Sequence, residues 1–254
     1  MKYRFCIPSY QREDQPITVD LLNRMGYAKD EIIVGTQTLE EYREYSKRQG
    51  DKATVTYAPA NNCPQNRNNL LDRFADGERI LLADDDVRAF LRLTEDENRL
   101  EEIKTREELE QIFDRMFEYC ERNNAYMWAW YPVENPMFMH RTIDRGNILV
   151  ATLLGIRKTG EKMFNPAFSV KEDFELSLRM IASGLNVVRF NGFTCKARHM
   201  TRGGCQDDRL AGENEKCFRA LVNRYPQFVR PSHRKGEIRY VGDRATEKES
   251  VLWE

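Results

Sequence analysis

The sequence predicts an α/β protein with a mostly parallel central sheet, helices on both faces and a smaller antiparallel part. Over residues 1–90, short apolar segments typical of strands alternate with segments typical of helices. Such alternation builds right-handed βαβ units on a parallel sheet. After residue 90 several strand-like segments follow one another, which favours antiparallel pairing. The chain has 254 residues, of which 41% are hydrophobic, so it is long enough to bury a substantial core.

The first half contains alternating predicted strands and helices. The strands are the apolar or β-branched segments Tyr3–Ile7, Glu31–Gly35, Ala53–Ala58 and Arg79–Ala83. The helices are Ile17–Met25, Leu39–Gln49 and Pro64–Ala75. A glycine after the first helix marks its end, and a proline suits the first turn of the third.

The second half carries two blocks of opposite charge. Residues 95–121 hold 11 acidic and 4 basic residues, a net charge of −7, in a loop and an amphipathic helix. Residues 186–244 hold 13 basic and 6 acidic residues, a net charge of +7. The formal net charge of −1 conceals these opposed blocks. The predicted strands are Tyr126–Tyr131, Pro136–His140, Asn147–Ile156 and Asn186–Phe190, and the predicted helix is Glu172–Ser183.

Composition excludes several classes of protein. No apolar stretch follows the first charges as in a secretory signal, and none approaches the length of a membrane span. The six cysteines are scattered without a Cys-x-x-Cys pair, which predicts reduced thiols in a cytoplasmic protein. The near-zero net charge argues against a protein that coats nucleic acid through general electrostatic attraction, but it is compatible with a local basic groove.

Three adjacent carboxylates, Asp84, Asp85 and Asp86, follow the apolar strand Arg79–Ala83. Ligands of open α/β sheets bind at the carboxyl ends of the strands. The mutual repulsion of the carboxylates is easiest to tolerate beside a cation, and Asp84 and Asp86 share one face of an extended backbone. These residues therefore predict a hard divalent cation that bridges substrate phosphates. The alternative is an acidic turn that caps a helix.

Four further segments would complete such a site. Pro8–Arg12 follows the first strand, and Arg67 stands in an Asn-rich helix start from which it would reach a diphosphate or order the carboxylates. Glu172-Asp173 opens a helix, where acids are favoured by the helix dipole whatever their function. His199 follows the last strand and precedes a flexible Gly203-Gly204 loop. Each segment alone also fits a structural role, such as a turn or a cap.

In their order along the chain, these features resemble the GT-A nucleotide-sugar glycosyltransferases, especially the inverting family-2 type. The matching motifs are Pro8–Arg12, Arg67-Asn68, Asp84–Asp86, Glu172-Asp173 and His199, over residues 3–200. The resemblance implies a Rossmann-like GT-A fold in a single domain. Its nucleotide-sugar-binding half would be residues 1–90, its acceptor-binding half residues 91–245, and residues 246–254 would form a tail.

Within that class the sequence is most similar to the phage TET/JBP-associated glycosyltransferases, which are linked to sugar transfer onto 5-hydroxymethylpyrimidines in DNA. The compact length, the segment Lys171–Met180 and the loop from Arg198 to Gln206 carry this similarity. The resemblance implies a phage-encoded enzyme of the host cytoplasm, with no membrane partner, that acts on DNA containing hydroxymethylated pyrimidines.

The resemblance also implies roles for particular residues. Asp84, Asp86 and His199 would hold Mn²⁺ or Mg²⁺, and Asp173 would take the proton from the acceptor hydroxyl. The residues implied to contact the donor, a UDP-sugar, are Pro8, Ser9, Tyr10, Arg12, Gln37, Arg67, Asp84, Asp85 and Arg202. One departure concerns the acid that family members often carry after the second strand to recognise uracil. Here Gly35-Thr36-Gln37 stands there, so Thr36 or Gln37 would read the base, and the identity of the nucleotide stays open.

The acceptor half offers basic and aromatic side chains. The basic residues that would border a groove for DNA are Arg198, Arg202, Arg209, Arg230, Arg234, Lys235, Arg239 and Arg244. The aromatic residues Trp128, Trp130, Tyr131 and Phe138 would either stack on a sugar or a flipped base, or fill the core.

Three other functions remain open at this stage. One is a GT-A enzyme that acts on a polysaccharide, a lipid carrier or a protein. Another is a nucleotidyltransferase, although the segment Pro8–Arg12 lacks the Gly-rich signature of that class. The third is a non-catalytic nucleic-acid-binding module whose acids only cap turns.

Overall fold

The computed structural model describes residues 3–160, 163–198 and 211–248. The strands of the first half are β1 (Phe5–Pro8), β2 (Ile32–Thr36), β3 (Thr54–Tyr57), β4 (Arg79–Ala83), β5 (Val87–Leu93) and β6 (Leu100–Glu102). Those of the second half are β7 (Ala125–Tyr131), β8 (Ile143–Arg145), β9 (Leu153–Arg157), β10 (Asn186–Ala197), β11 (Val229–Pro231), β12 (Ile238–Tyr240) and β13 (Ala245–Glu247). The helices are α1 (Ile17–Arg24), α2 (Leu39–Gln49), α3 (Cys63–Leu71), α4 (Arg106–Arg122), α5 (Glu172–Ala182) and α6 (Glu213–Arg224).

One large sheet runs through the described residues in the order β13-β8-β10-β7-β9-β4-β1-β2-β3. Among strands β1 to β4 every pairing is parallel: β1 pairs with β2 and with β4, and β2 pairs with β3. Strand β9 is antiparallel to both β4 and β7, so β4 and β7 point in the same direction. Strand β10 is parallel to β7 but antiparallel to β5 and β8. The predicted α/β fold is confirmed, and its antiparallel part continues the same sheet.

The strands alternate their side chains between two cores, as the period of a strand requires. On one face, Phe5, Leu81 and Trp128 pack with side chains of α1, α2 and α4. On the other face, Cys6 and Leu82 pack with side chains of α3 and α5. The helices therefore cover both faces of the sheet. A third cluster joins α5 to α6 and to the β11–β12 hairpin.

Four expectations about the second half are wrong in detail. Pro136–His140 is not a strand: a 3₁₀ turn occupies Pro136–Phe138, since proline cannot donate to a ladder and the Asn135 side chain caps the turn. The strand expected over Asn147–Ile156 begins only at Leu153. The segment expected as an acidic loop contains the turn of the β5–β6 hairpin and strand β6. The strand expected over Asn186–Phe190 continues to Ala197.

The C-terminal residues complete one edge of the sheet. Strand β13 pairs with β8 and includes the first two residues of the expected tail 246–254. The cysteines of the described ranges, Cys6, Cys63, Cys120, Cys195 and Cys217, form no disulfide. None of the helices in these ranges has the length and apolar character needed to cross a membrane.

Candidate active site

The three carboxylates lie in the turn that joins β4 to β5, at the carboxyl edge of the sheet. The backbone N–H of Asp84 donates to the Thr152 carbonyl at 3.0 Å. The Thr18 hydroxyl donates to the Asp84 carbonyl at 2.7 Å and accepts from the Val87 N–H at 2.9 Å. The buried Thr18 side chain thus ties the turn to the start of α1, and the turn is held from two sides.

Asp85 anchors the loop that follows β1. The Ser9 hydroxyl donates to one oxygen of Asp85, and the Arg12 guanidinium donates to the other. The same guanidinium lies 3.3 Å from an oxygen of Asp86. The buried hydroxyl of Tyr45 on α2 contacts Ser9 at 2.7 Å and accepts from the Arg12 backbone at 2.9 Å. The segment Pro8–Arg12 is therefore brought to the carboxylates, as expected, and Arg12 offsets part of their charge.

A buried arginine connects the carboxylate turn to α5. Arg67 Nη2 lies 3.1 Å from Asp84 Oδ1, and Nη1 lies 3.0 Å from Glu172 Oε1. The side chain of Arg67 is only 5% exposed, whereas that of Asp84 is 38% exposed. Burial raises the pKa of Asp84 well above its usual range and Asp86 and Asp85 add to the rise, while the positive charge of Arg67 opposes it.

The Asn-rich start of α3 explains how Arg67 is held. Asn66 donates to the Gly35 carbonyl at 2.9 Å, so α3 is fixed to the end of β2. Asn68 exchanges two hydrogen bonds with the backbone of Phe164, at 2.7 and 2.9 Å. A Cβ at Gly35 would collide with the Asn66 side chain and lie 2.9 Å from Leu70, so this approach requires glycine. The amides position the helix, and the Arg67 guanidinium also lies over the Phe164 ring.

Asp173 lies in the first turn of α5, where two backbone groups fix its carboxylate. Oδ2 accepts from the Ala151 N–H at 3.0 Å, and Oδ1 accepts from the Phe174 N–H at 2.8 Å. The buried Ser177 hydroxyl donates to the Asp173 carbonyl at 2.8 Å and accepts from the Leu149 N–H at 3.0 Å. Burial raises the pKa of Asp173 despite the Arg67 charge and these N–H donors. An oriented carboxylate with raised proton affinity suits a general base.

Two of the three residues predicted to hold a metal, Asp84 and Asp86, lie within the described residues. Within those ranges, no group of three or more His, Cys, Asp or Glu side chains comes together as a metal site. Asp84 and Asp86 supply hard oxygen donors of the kind that Mg²⁺ and Mn²⁺ prefer, and among described residues Oδ2 of Asp84 takes no hydrogen bond. His199 and Arg202, the other residues expected there, lie outside the described residues.

The remaining donor-site residues lie near α2. Gln37 follows β2, and its backbone N–H donates to Glu41 at 3.1 Å. Thr36 is fully buried and donates to the Thr56 carbonyl at 3.2 Å. Tyr10 lines a cavity of about 450 Å³ together with several carboxylates, Glu13, Asp14, Glu40, Glu41 and Glu44. So many carboxylates make this cavity unfavourable for a diphosphate.

Aromatic and basic residues of the acceptor half are divided between core and surface. Trp128 and Trp130 are buried in the core, so for these two residues the structure supports the second alternative, that they fill the core. Tyr131 is partly buried beneath Arg189, and Phe138 is 60% exposed. Two of the basic residues expected to border a DNA groove, Arg202 and Arg209, lie outside the described ranges. The others are exposed: Arg198, Arg230, Arg234, Lys235, Arg239 and Arg244.

Several contributors to the site were not found from the sequence. Thr18 and Tyr45 contact residues that are far from them in the sequence, so no local sequence pattern predicts their roles in the site. Ala151 contributes only its backbone. The contact of Ser177 could have been predicted from the sequence. Ser177 lies four residues after Asp173 on the same helix face, so its hydroxyl can donate to the Asp173 carbonyl.

Clustered carboxylates lie at the carboxyl edge of the sheet, and the buried Arg67 joins them to the acidic start of α5. This arrangement is compatible with a nucleotide-sugar transferase. The model of the TET-associated glycosyltransferase family matches residues 3–204. The chain belongs to this family of glycosyltransferases, and the resemblance inferred from the sequence is confirmed.

A solved structure shares the fold. A mannosyltransferase from Pyrobaculum calidifontis, in complex with GDP-mannose and Mn²⁺, matches with a TM-score of 0.53 and 14% identity over 87% of this chain and 64% of its own. This chain thus spans 64% of the length of that mannosyltransferase. A protein from Desulfovibrio desulfuricans G20, described as a nucleotide-diphospho-sugar transferase, matches with a TM-score of 0.40 and 8% identity over 74% of this chain and 79% of its own. The comparison with curated proteins finds no match.

Proposed function

We propose that this protein is a metal-dependent inverting glycosyltransferase that moves a sugar from a nucleotide-sugar donor to the hydroxyl of a 5-hydroxymethylpyrimidine in DNA. The observation that carries the proposal is the arrangement around Arg67. One buried guanidinium contacts both Asp84, in the carboxylate turn, and Glu172, beside Asp173. A donor-binding group and a base are thereby held in one rigid unit, within a chain that matches a glycosyltransferase family.

The donor would be bound at the carboxylate turn. Asp84, Asp86 and His199 would hold a divalent ion, which, when bound, neutralises charge that develops on the diphosphate leaving group. The Mn²⁺ and GDP-mannose in the Pyrobaculum mannosyltransferase support a metal and a nucleotide-sugar donor here. Arg12 and Arg202 would contribute positive charge to the donor site.

The nucleotide is proposed to be UDP. Because Thr36 is buried and already bonded to the Thr56 carbonyl, Gln37 is the better candidate to read the base. Pro8 and Tyr10 would line the same site. Ser9 and Asp85 bind each other, so their part would be to hold Tyr10 and Arg12 in place.

Asp173 would act as the general base. Its carboxylate takes the proton from the acceptor hydroxyl as that oxygen attacks C1 of the sugar. The C1–O bond to the diphosphate breaks on the opposite face, so the anomeric configuration inverts and an α-linked donor gives a β-linked product. Proton transfer to a positioned base contributes about 10²–10⁴-fold to such reactions.

The DNA acceptor rests on two lines of support. The matching family is described as TET-associated, and exposed arginines and a lysine of the C-terminal part would bind a phosphate backbone. A phage origin and a reaction in the host cytoplasm are proposed on the family resemblance alone.

The test is a transfer assay with labelled UDP- and GDP-sugars plus Mn²⁺. The acceptors are hydroxymethylcytosine DNA, hydroxymethyluracil DNA, unmodified DNA and a polysaccharide. We expect label only in a hydroxymethylated DNA, only with metal, and with the anomeric configuration inverted by NMR. Label on the polysaccharide but not on DNA would contradict the proposed DNA acceptor. Transfer that a chelator does not reduce would contradict the proposed metal dependence.

A further inference from the structure

The loop between β7 and β8 carries a cluster of exposed apolar side chains. Val133 is 51% exposed, Met137 82% and Phe138 60%, all within six residues of chain. A single exposed apolar side chain is ordinary, but a contiguous group indicates a contact surface. Neither the donor site nor the proposed base uses these residues.

The tip of this loop is held in one conformation. The Asn135 side chain accepts from the Met137 N–H at 3.0 Å, and the Phe138 N–H donates to the Asn135 carbonyl at 3.1 Å. Pro136 restricts the backbone at the first position of the turn. Trp130 before the loop and Met139 after it are buried in the protein. The exposed side chains thus stand on a preorganised turn, which reduces the entropy that binding would cost.

Strand register places this loop beside the candidate active site. Leu82 of β4 and Ala129 of β7 both lie opposite Leu154 of β9, so they are level in the sheet. Two residues further along each strand, Asp84 and Tyr131 are therefore level too. With one strand between them, they are about 10 Å apart, twice the spacing of neighbouring strands. Tyr131 is the last residue of β7, so the loop begins at the next residue.

Basic residues surround the base of the loop. Arg189 lies over the Tyr131 ring and also pairs with Asp144, and Arg141 lies near the end of the loop. Lys196 and Arg198, both exposed, end β10 beside the carboxylate turn, where the Arg198 N–H donates to the Asp86 carbonyl. Carboxylates lie here too: Glu134 is part of the loop, and Glu97 accepts from the Arg141 backbone N–H at 2.8 Å. Exposed apolar side chains on a loop that starts beside the exposed Lys196 and Arg198 match the chemistry of a base step flanked by phosphates.

We propose that the Pro136–Phe138 tip is a wedge that enters a base step of duplex DNA and keeps the target nucleotide out of the stack. This inference rests on the proposed function. The acceptor oxygen must come within about 3 Å of Asp173, whose partly buried carboxylate is enclosed by the Ala151 and Phe174 backbones. A nucleotide rotated out of the helix reaches such a site. Met137 and Phe138 then fill the space it leaves and slow its return.

The experiment compares wild-type protein with the double variant Met137→Ser/Phe138→Ser. Both side chains are exposed, so the melting temperature should stay unchanged. The matched control is Tyr57→Ser, which removes a 45% exposed aromatic from β3 at the far edge of the sheet. The acceptors are a hydroxymethylated duplex, the same strand alone, and the duplex with the target base mispaired.

We expect the double variant to lose about tenfold or more in kcat/KM on the paired duplex, since unstacking costs a few kcal/mol. The single strand and the mispaired duplex need less opening, so their rates should stay within about twofold. Tyr57→Ser should leave all three rates unchanged. A double variant that keeps the duplex rate, or that loses equally on all three acceptors, would overturn the wedge.

A second measurement does not depend on turnover. A duplex with 2-aminopurine at the target position should brighten on binding wild-type protein and Tyr57→Ser, because the base leaves the stack, but not on binding the double variant. Equal fluorescence with all proteins would overturn the wedge. Wild-type protein that glycosylates none of the DNAs would instead contradict the proposed function, and the fluorescence would then decide the wedge by itself.

Discussion

At the scale of single residues, the site depends on one guanidinium. Arg67 reaches Asp84 and Glu172 with two different nitrogens while its side chain stays 95% buried. Only a planar fork can serve two carboxylates in this way, and lysine presents a single point charge. The same residue therefore supports both the folding of this region and the charge balance of the candidate site.

Replacing Arg67 by alanine should remove the guanidinium that pairs with the buried Glu172 carboxylate. Breaking a buried pair from one side costs about 3–5 kcal/mol, so the urea midpoint should fall clearly. The double variant Arg67→Ala/Glu172→Gln should recover part of the loss, because the buried negative charge is removed together with the guanidinium. Equal midpoints for wild type and Arg67→Ala would show that the pair does not contribute to stability.

Asp173→Asn should separate chemistry from binding. The amide keeps the shape of the side chain but takes no proton, so kcat should fall by about 10²-fold or more. Binding of the nucleotide-sugar should stay within about twofold, since the proposed donor contacts lie elsewhere. Calorimetric titration and initial rates measure the two quantities. Glu118→Gln, on an exposed part of α4, is the control and should change neither.

Asp144 should make stability depend on pH. Burial alone would raise its pKa, but hydrogen bonds from Thr246 and Asn147 and the charge of Arg189 outweigh burial and hold the pKa below its usual value. A carboxylate with a depressed pKa stabilises the fold above its unfolded pKa of about 3.9, and the contribution is lost as the pH falls through the folded pKa.

The variant Asp144→Asn should therefore be less stable than wild type by about 1–3 kcal/mol at pH 7. The difference should shrink below about pH 4, where wild type also loses the charge. Urea unfolding across this range measures it, with the exposed Asp51→Asn as control. A difference that is constant over all pH values would mean that the charge of Asp144 is not involved.

At the scale of secondary structure, prediction succeeded where one element carries a complete local signal. Strands β1 to β4 are apolar runs bounded by turn residues, and the sequence places them within one or two residues. The β5–β6 hairpin was missed, because charged residues on its exposed side hide the buried Val87, Phe90 and Leu93. Strand β9 starts late because the backbone before it bonds to Ser177 and Asp173 side chains, a tertiary effect.

Strand β9 also has a tight requirement for glycine. A Cβ at Gly155 would overlap the indole of Trp128 on the neighbouring strand β7. Gly155→Ala should thus lower the free energy of unfolding by about 3 kcal/mol or more. Gly160→Ala is the control, since its nearest neighbour is the end of the exposed Asp76 side chain at 3.0 Å. In a Trp128→Leu background the penalty at Gly155 should be smaller, as a double-mutant cycle would show.

At the scale of the whole molecule, the distribution of charge carries more information than its total. The acidic block of residues 95–121 lies on the β5–β6 turn and α4, and exposed basic residues of the other block lie on the β11–β12 hairpin. The sequence revealed the two blocks and the residues of the carboxylate turn. It could not reveal that Arg67 joins that turn to α5, because the three parts meet only through the fold of the sheet.

Binding to DNA should weaken steeply with salt if the basic block contacts phosphates. Arg230 and Arg239 are cross-strand partners on the hairpin. The variant Arg230→Gln/Arg239→Gln should bind every DNA sequence more weakly and reduce the slope of log K against log salt by about two. Arg43→Gln/Lys47→Gln on α2 removes the same charge from another surface and should leave the slope unchanged. Fluorescence anisotropy at several salt concentrations gives both slopes.

The pairing of β13 with β8 affects the order in which the chain can assemble. During synthesis β8 leaves the ribosome long before residues 245–247. Until those residues are made, one edge of β8 is paired with β10 and its other edge is unpaired. Until β13 arrives, Asp144 also lacks the hydrogen bond from Thr246. An open strand edge can pair with a neighbouring chain. Slow synthesis, or truncation before residue 245, would therefore leave the edge of β8 unpaired and favour aggregation through it.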